Sequence, residues 1–229
     1  MPKAGVSIDR RGIVSRLRKA AIAALAAHLI AGASMAIILS HGLETNAEFN
    51  TRLSFMVDHR ALWSFGWLTW TAAALSFLYF CDAFAAAHDL HRFAVLLTAA
   101  AVVADITGHT MEIALLPAIA GRVLRSEGSP ELFLLLHRIV VLLSGYVANT
   151  LYSLSTLFLS WSSRHFYPRR IPAAGLAVAF VGFGLSIAAL AGSTAGLLWT
   201  NAVLIVLLLL WLGLLIGVRP LVPLFPSGK

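Results

Sequence analysis

Long apolar runs separated by short polar segments make up most of this chain. A helix needs about 20 apolar residues to cross a hydrocarbon core about 30 Å thick. Runs of this length predict membrane spans at residues 20–41, 57–81, 93–118, 131–161, 172–192 and 195–217. The pattern therefore predicts an all-α, polytopic integral membrane protein with six transmembrane helices.

Composition supports this class. Of the 229 residues, 59% are hydrophobic and only 12% are charged, and the mean hydropathy is +0.86. A soluble domain of this size does not sustain such a balance without large exposed apolar patches. The lipid bilayer is therefore the first predicted partner.

The positive charges predict an orientation. The chain carries 17 Lys and Arg residues and a formal net charge of +7. Most of them fall before the first span or in connections on the same side of the membrane, which places both termini in the cytoplasm. We therefore predict a multi-pass protein of the inner (plasma) membrane, with a basic arm at 1–19, a transmembrane domain at 20–218 and a cytoplasmic tail at 219–229. The excess charge is expected to contact anionic lipid, and no nucleic acid is predicted as a partner.

The third span contains three ionisable residues at helical spacing. Asp105, His109 and Glu112 stand at i, i+4 and i+7, which places them on one stripe of a helix. A charge in mid-membrane costs from about 2.5 kcal/mol upward, so the stripe is expected to face the bundle interior. We predict a catalytic set made of Asp105 and Glu112 with two polar residues of the fourth span, Asn149 and Tyr152.

Spans five and six contain no ionisable residue. We therefore predict a four-helix functional core with two scaffold helices. In the connection after span two, the sequence AAAHDLHR is expected to be a solvated turn containing His88, Asp89 and His91. The segment between spans one and two predicts either a short interfacial helix or an extension of the second span.

Histidines near one end of the spans suggest a cofactor. His59 and His137 are each followed by an arginine and, seven or eight residues later, by a glycine. Two imidazoles can ligate haem b, arginines pair with its propionates, and glycines admit the ring close to a backbone. The predicted haem-binding residues are His59, His137, Arg60, Arg138, Gly66 and Gly145. The leading hypothesis is a haem b protein that transfers electrons to a quinone or a partner membrane subunit.

Two alternatives stay open. Imidazoles together with carboxylates also suit zinc or non-haem iron, in an intramembrane enzyme that acts on a lipid-like substrate. The metal ligands would come from His41, His59, His109 and His137. The other alternative is a small transporter or a structural subunit of a membrane complex, in which carboxylates and histidine relay protons or serve packing.

Overall fold

The computed structural model describes residues 10–88, 90 and 92–217. Of these residues, 87% are helical and none forms a strand. The predicted tail at 219–229 and the first nine residues of the predicted arm lie outside the described residues. The predicted sidedness of the termini stays a prediction.

Seven helices account for almost all of the described residues. Six of them are long and apolar enough to cross a membrane, which confirms the prediction of an all-helical chain with six such helices. The seven are α1 (Arg10–Ile37), α2 (Phe49–Asp58), α3 (Arg60–Ala87), α4 (Phe93–Leu124), α5 (Pro130–Ser162), α6 (Arg170–Ala191) and α7 (Thr194–Gly217), of which α2 is the short one.

The six long helices form a closed ring. Each packs against its neighbours in the chain, and α7 packs back against α1. The 42–48 connection, α2 and the turns after α4 and α6 therefore lie together at one end of the bundle, the α2 end. A ring of antiparallel helices encloses space at its centre, and the candidate site lies there.

The helical backbone is interrupted between α2 and α3 at His59. The backbone of His59 has φ −113° and ψ 35°, outside the helical region. The segment before the second span is therefore a separate short helix and not an extension of that span, and its predicted interfacial position stays a prediction. Its apolar face, which includes Leu53 and Met56, is buried, and α2 packs mainly against α4.

Two of the long helices widen locally. The segments Met111–Leu115 of α4 and Leu142–Ala148 of α5 are π-helical. A π segment adds a residue to a turn, rotates the residues that follow, and leaves carbonyls without their usual donor; such segments often occur at functional sites. Both lie where α4 and α5 carry their polar side chains.

The turn after α3 is not solvated at His88. This side chain is 3% exposed, and its Nδ1–H donates to the Phe84 carbonyl at 2.7 Å. The Tyr167 hydroxyl lies 2.9 Å from Nε2, where it can donate to the ring. The prediction of a solvated turn is therefore wrong for His88, because the chain after α5 covers it; Asp89 and His91 lie outside the described residues. Burial lowers the pKa of His88 to about 4.

The depressed pKa of His88 predicts an acid-sensitive fold. The unfolded chain binds a proton near pH 6.5 and the folded chain only near pH 4, so stability is complete above pH 6.5 and falls as the pH drops through this window. The loss reaches about 3 kcal/mol at the acid end. Thermal unfolding in detergent between pH 8 and pH 4 measures it. His88→Gln lowers stability at neutral pH but flattens the slope, and an unchanged slope in this variant contradicts the assignment.

Candidate functional site

A large cavity occupies the centre of the ring toward the α2 end. Its volume is about 860 Å³, and all six long helices contribute to its wall. On α1 and the turn that follows, the lining residues run from His28 to His41, which corresponds to a length of about 20 Å. The wall is mainly apolar, with a few polar and ionisable groups. These dimensions suit an elongated small molecule rather than an ion alone.

Helices α6 and α7 are part of this wall. Val178 and Leu185 of α6 and Leu197, Asn201 and Leu208 of α7 line the cavity. The expectation of four functional helices and two scaffold helices therefore does not describe this architecture. The residues that these two helices contribute to the wall are uncharged, and most of them come from α7.

At the α2 end, three ionisable side chains surround His137. Nδ1 of His137 lies 3.3 Å from Oε1 of Glu44 and 3.3 Å from Nη2 of Arg52. Nε2 of the same ring lies 3.6 Å from Oε1 of Glu112. His137 and Glu112 are each 1% exposed, whereas a third of the Glu44 side chain is exposed. We call Glu44, Arg52, Glu112 and His137 the charged layer.

Glu44 is the member of the charged layer that lies in an extramembrane connection. Its contact with His137 lowers the pKa of the Glu44 carboxyl below its usual value, and the positive charges of Arg52 and Arg138 act in the same direction against partial burial. Glu44 is therefore ionised at neutral pH. Arg52 also donates from Nε to the Gly42 carbonyl at 3.3 Å, which ties α2 to the 42–48 connection.

The π segment of α4 places Glu112. The indole N–H of Trp63 on α3 donates to the backbone carbonyl of Glu112 at 2.8 Å. A π turn shifts the backbone hydrogen-bond register, so a carbonyl there can accept from a side chain instead. The side chain of Glu112 lies in the cavity wall beside His137.

A second polar group lies farther along the cavity. The Asp105 carboxylate faces the hydroxyls of Tyr152 and Ser144, although neither hydroxyl forms a hydrogen bond of normal geometry. Gly108 makes this approach possible, since a Cβ there would lie 2.6 Å from Oγ of Ser144. Asn149 donates to the Ser144 carbonyl at 3.2 Å within the π segment of α5. The predicted stripe of the third span and the two predicted polar residues of the fourth span thus line one cavity.

His109 stands between the two polar groups. The Thr71 hydroxyl donates its single hydrogen to the Trp67 carbonyl and lies 3.0 Å from Nδ1 of His109. Nδ1 must therefore carry the hydrogen, which leaves Nε2 as an acceptor. Trp67 packs beside this imidazole, with ring centroids 5.2 Å apart. His28, which sequence reasoning passed over, also lines the cavity, and its Nδ1–H donates to the Ala24 carbonyl at 2.8 Å.

Three of the predicted haem-binding residues, His59, Arg60 and Arg138, do not line the cavity. His59 and Arg60 are exposed and do not line the cavity, because the chain turns at His59. His59 packs against Phe55 instead. Arg138 donates to the carbonyls of Ala189 and Leu190 at 2.7 and 2.9 Å and so caps the C-terminus of α6. The structure therefore does not bring His59 and His137 together across one slot.

The two predicted cofactor glycines serve close packing. A Cβ on Gly66 would lie 2.6 Å from Cδ2 of Leu39, the residue that begins the turn after α1. A Cβ on Gly145 would lie 2.9 Å from Cβ of Ala189 on α6. Gly145 also borders the cavity, as does His41, which is exposed and packs against Phe55.

The charged layer does not have the geometry of a metal site. Among the described residues, no group of three or more His, Cys, Asp or Glu side chains is arranged to hold an ion. Glu44 and Glu112 contact opposite nitrogens of His137, whereas metal ligands must converge on one point about 2 Å from each donor. The layer is better described as an imidazole bridging two carboxylates.

Buried polar atoms without a partner concentrate in the cavity wall. In the part of the chain that the structure describes, seven buried side chains carry such an atom, and all except Ser160 line the cavity. The six are Trp67, Trp70, Glu112, His137, Ser144 and Tyr152. A buried polar group without a hydrogen bond costs about 1–3 kcal/mol, so these six residues are the places in the wall where a bound polar group gains most once a side chain turns toward it.

Glu44, Arg52, Trp67 and Trp70 were not among the predicted site residues. Glu44 and Arg52 lie outside the apolar runs, so a search for charges inside membrane spans passes over them. One signal was available: Arg52 lies on the face of α2 that also carries Leu53 and Met56, and a cation on an apolar face needs a buried partner. The tryptophans resemble ordinary interface aromatics in sequence.

Comparison with family models, curated proteins and solved structures finds no match for this chain. The function must therefore be argued from the geometry of the cavity.

Removal of the Arg52 charge tests the charged layer. Arg52→Met leaves Glu44 and Glu112 on one imidazole without their shared counter-charge, and we expect the free energy of unfolding to fall by about 2–3 kcal/mol. Chemical unfolding in detergent measures it. The matched control is Arg125→Met, because Arg125 pairs with Glu127 on the surface at 3.1 Å and its loss costs less than about 1 kcal/mol. Equal effects of the two substitutions contradict a buried role for Arg52.

Proposed function

We propose that this protein binds an elongated, mainly apolar molecule of the lipid class in its central cavity, with a carbonyl-bearing head among the polar groups. The observation that carries the proposal is the concentration of unpartnered buried polar atoms in the wall of one large, mainly apolar cavity. Quinones and other carbonyl-bearing lipids have this chemistry. A lipid-like substrate was predicted for the metal-dependent enzyme, and a quinone was predicted as a partner of the haem b protein. The proposal retains both kinds of molecule without the cofactor.

The shape of the cavity supports an elongated ligand. A length of about 20 Å along α1 accommodates a small ring and an alkyl or isoprenoid tail. One stretch of wall carries the charged layer, and another is formed by residues such as Phe77, Val178 and Leu208. A molecule with one polar end and a long apolar tail matches this division, because each end then meets groups of its own polarity.

The unpartnered atoms favour a head that accepts hydrogen bonds. The indole groups of Trp67 and Trp70 can only donate, and they have no acceptor in the protein. The hydroxyls of Ser144 and Tyr152 face Asp105 without a hydrogen bond of normal geometry. A carbonyl oxygen offers two lone pairs and no hydrogen, so it satisfies donors that an amine or ammonium head leaves unpaired. Trp67 and His109 add flat rings against which a planar head can pack.

The geometry supports neither haem b nor a zinc or iron centre. The predicted pair His59 and His137 does not face one slot, and the donors of the charged layer do not converge. His28 and His109 are both in the wall, but they contact α3 at Phe77 and at Thr71 respectively. Those contacts are about 9 Å apart along the helix, whereas axial haem ligands lie opposite each other. We derive no step through either cofactor.

Binding of a named probe tests the proposed function. A benzoquinone with a ten-carbon tail is expected to raise the melting temperature of the detergent-solubilised protein in a saturable manner, because a ligand of the folded state stabilises it by mass action. The same tail on benzene lacks the carbonyls and is expected to give a much smaller shift. Equal shifts with both compounds contradict a site for a carbonyl head.

Replacement of two neighbouring alanines of α3 by phenylalanine tests whether the probe binds in the cavity. Ala74 is buried in the cavity wall, so the larger side chain in Ala74→Phe fills part of the space. We expect this variant to need at least ten times more probe to reach the same rise in melting temperature. Ala72 is exposed and does not line the cavity, so Ala72→Phe is expected to leave the shift unchanged. A probe that responds equally to both substitutions, or to neither, does not bind in this cavity, and that result overturns the proposal.

The absorption spectrum and metal content of the purified protein separate this proposal from the cofactor hypotheses. We expect no Soret band and no stoichiometric zinc or iron, because His59 does not line the cavity with His137 and, among the described residues, no group of three or more His, Cys, Asp or Glu side chains is arranged to hold an ion. A Soret band that disappears in both His28→Ala and His109→Ala assigns haem to the cavity and contradicts the proposal. Stoichiometric metal lost in His137→Ala contradicts it as well.

A further inference from the structure

His137 stands between a partly exposed carboxylate and a buried one, and all three side chains line the cavity at the α2 end. One of its nitrogens contacts Glu44, which is partly exposed in the 42–48 connection, and the other contacts Glu112, which is almost completely buried. An imidazole can accept a proton at one nitrogen and release one from the other, so a ring between two carboxylates is a chemically complete proton relay. No other imidazole among the described residues has a carboxylate on each nitrogen.

We propose that Glu44, His137 and Glu112 form a proton path from the aqueous phase at the α2 end to the buried carboxyl of Glu112. The path rests on the proposed function in one respect: the group that exchanges protons with Glu112 is the head of the bound molecule. Nδ1 of His137 lies 3.3 Å from Oε1 of Glu44. Nε2 lies 3.6 Å from Oε1 of Glu112 and has no hydrogen-bond partner, so a small movement of either side chain must close this second gap before a proton passes.

The proton balance of the path is simple. Glu44 takes a proton from water and passes it to Nδ1 of His137, so an O–H bond breaks as an N–H bond forms. The N–H bond at Nε2 then breaks as an O–H bond forms at Oε1 of Glu112, which leaves a neutral ring with its hydrogen on Nδ1. Because Arg52 donates toward Nδ1, the starting ring carries its hydrogen on Nε2, and a flip of the ring that exchanges the two nitrogens restores that state. The net result is one proton moved from water to Glu112, with no oxidant or reductant required, and the reverse sequence removes a proton from the cavity.

The charges around His137 fit this role. Glu44 and Glu112 place a carboxylate beside each nitrogen of a transient imidazolium, and Arg52 places a positive charge on the Nδ1 side. Arg138 adds a more distant positive charge that acts on Glu44. Oε2 of Glu112 is buried without a hydrogen-bond partner in a side chain of the cavity wall, so a rotation of this carboxyl toward the cavity extends the path to a bound ligand.

Infrared spectroscopy of the ligand-free protein in liposomes tests the path without any ligand. The stretching band of a protonated carboxyl is assigned to Glu112 by its loss in Glu112→Gln and its retention in Asp105→Asn. After transfer from H₂O to D₂O, the band of the wild type is expected to shift quickly, at least tenfold faster than in Glu44→Gln. Glu44→Asp is expected to restore most of the rate, and Glu127→Gln, which alters an exposed carboxylate, leaves it unchanged.

A second variant protects the test against simple misfolding. His137→Gly removes the ring and is expected to slow the exchange at Glu112, and added imidazole is expected to restore it, which a purely structural role of His137 does not produce. The path is overturned if Glu44→Gln exchanges at the wild-type rate, if imidazole has no effect on the glycine variant, or if no protonated carboxyl band depends on Glu112 between pH 4 and pH 8. Because no probe is bound, failure of the path and failure of quinone binding are separate results.

Discussion

The imidazole of His137 links the interior of this bundle to its surroundings. A carboxylate contacts each of its nitrogens, and an arginine stands beside one of them. Burial of Glu112 and His137 is tolerable only because these charges compensate one another, since an isolated charge in such an environment costs several kcal/mol. The layer also joins α2, the 42–48 connection, α4 and α5, so the same contacts that neutralise charge hold the α2 end of the ring together.

The ring architecture explains why polar chemistry and an apolar cavity coexist. Six helices packed in chain order leave a central space, and its wall combines ionisable residues of α4 and α5 with apolar residues of α6 and α7. Helices without any ionisable residue are therefore as much part of the candidate site as the helices that carry the charges. A lipid-like molecule with one polar end uses both kinds of wall.

The two π segments connect backbone geometry to the site. In α4 the π segment contains Glu112, and in α5 it contains Ser144 and Gly145. Widened turns change which side chains face inward. They also leave backbone carbonyls without their usual N–H donor, and side chains donate to these carbonyls instead: Trp63 to that of Glu112 and Asn149 to that of Ser144. These contacts fix the orientation of the polar groups without any ligand.

Hydropathy by itself determined the class of the protein and the existence of six long apolar helices, because the bilayer requires a fixed length of apolar chain. Helical spacing also grouped Asp105, His109 and Glu112, all of which line the cavity. Only the tertiary structure decided what stands opposite them. The interruption at His59 leaves that residue outside the cavity, and Arg138 caps α6. Glu44, from the 42–48 connection, and Arg52, from the short helix α2, contact His137. Such pairings join residues far apart in the chain, and periodicity within one helix carries no information about them.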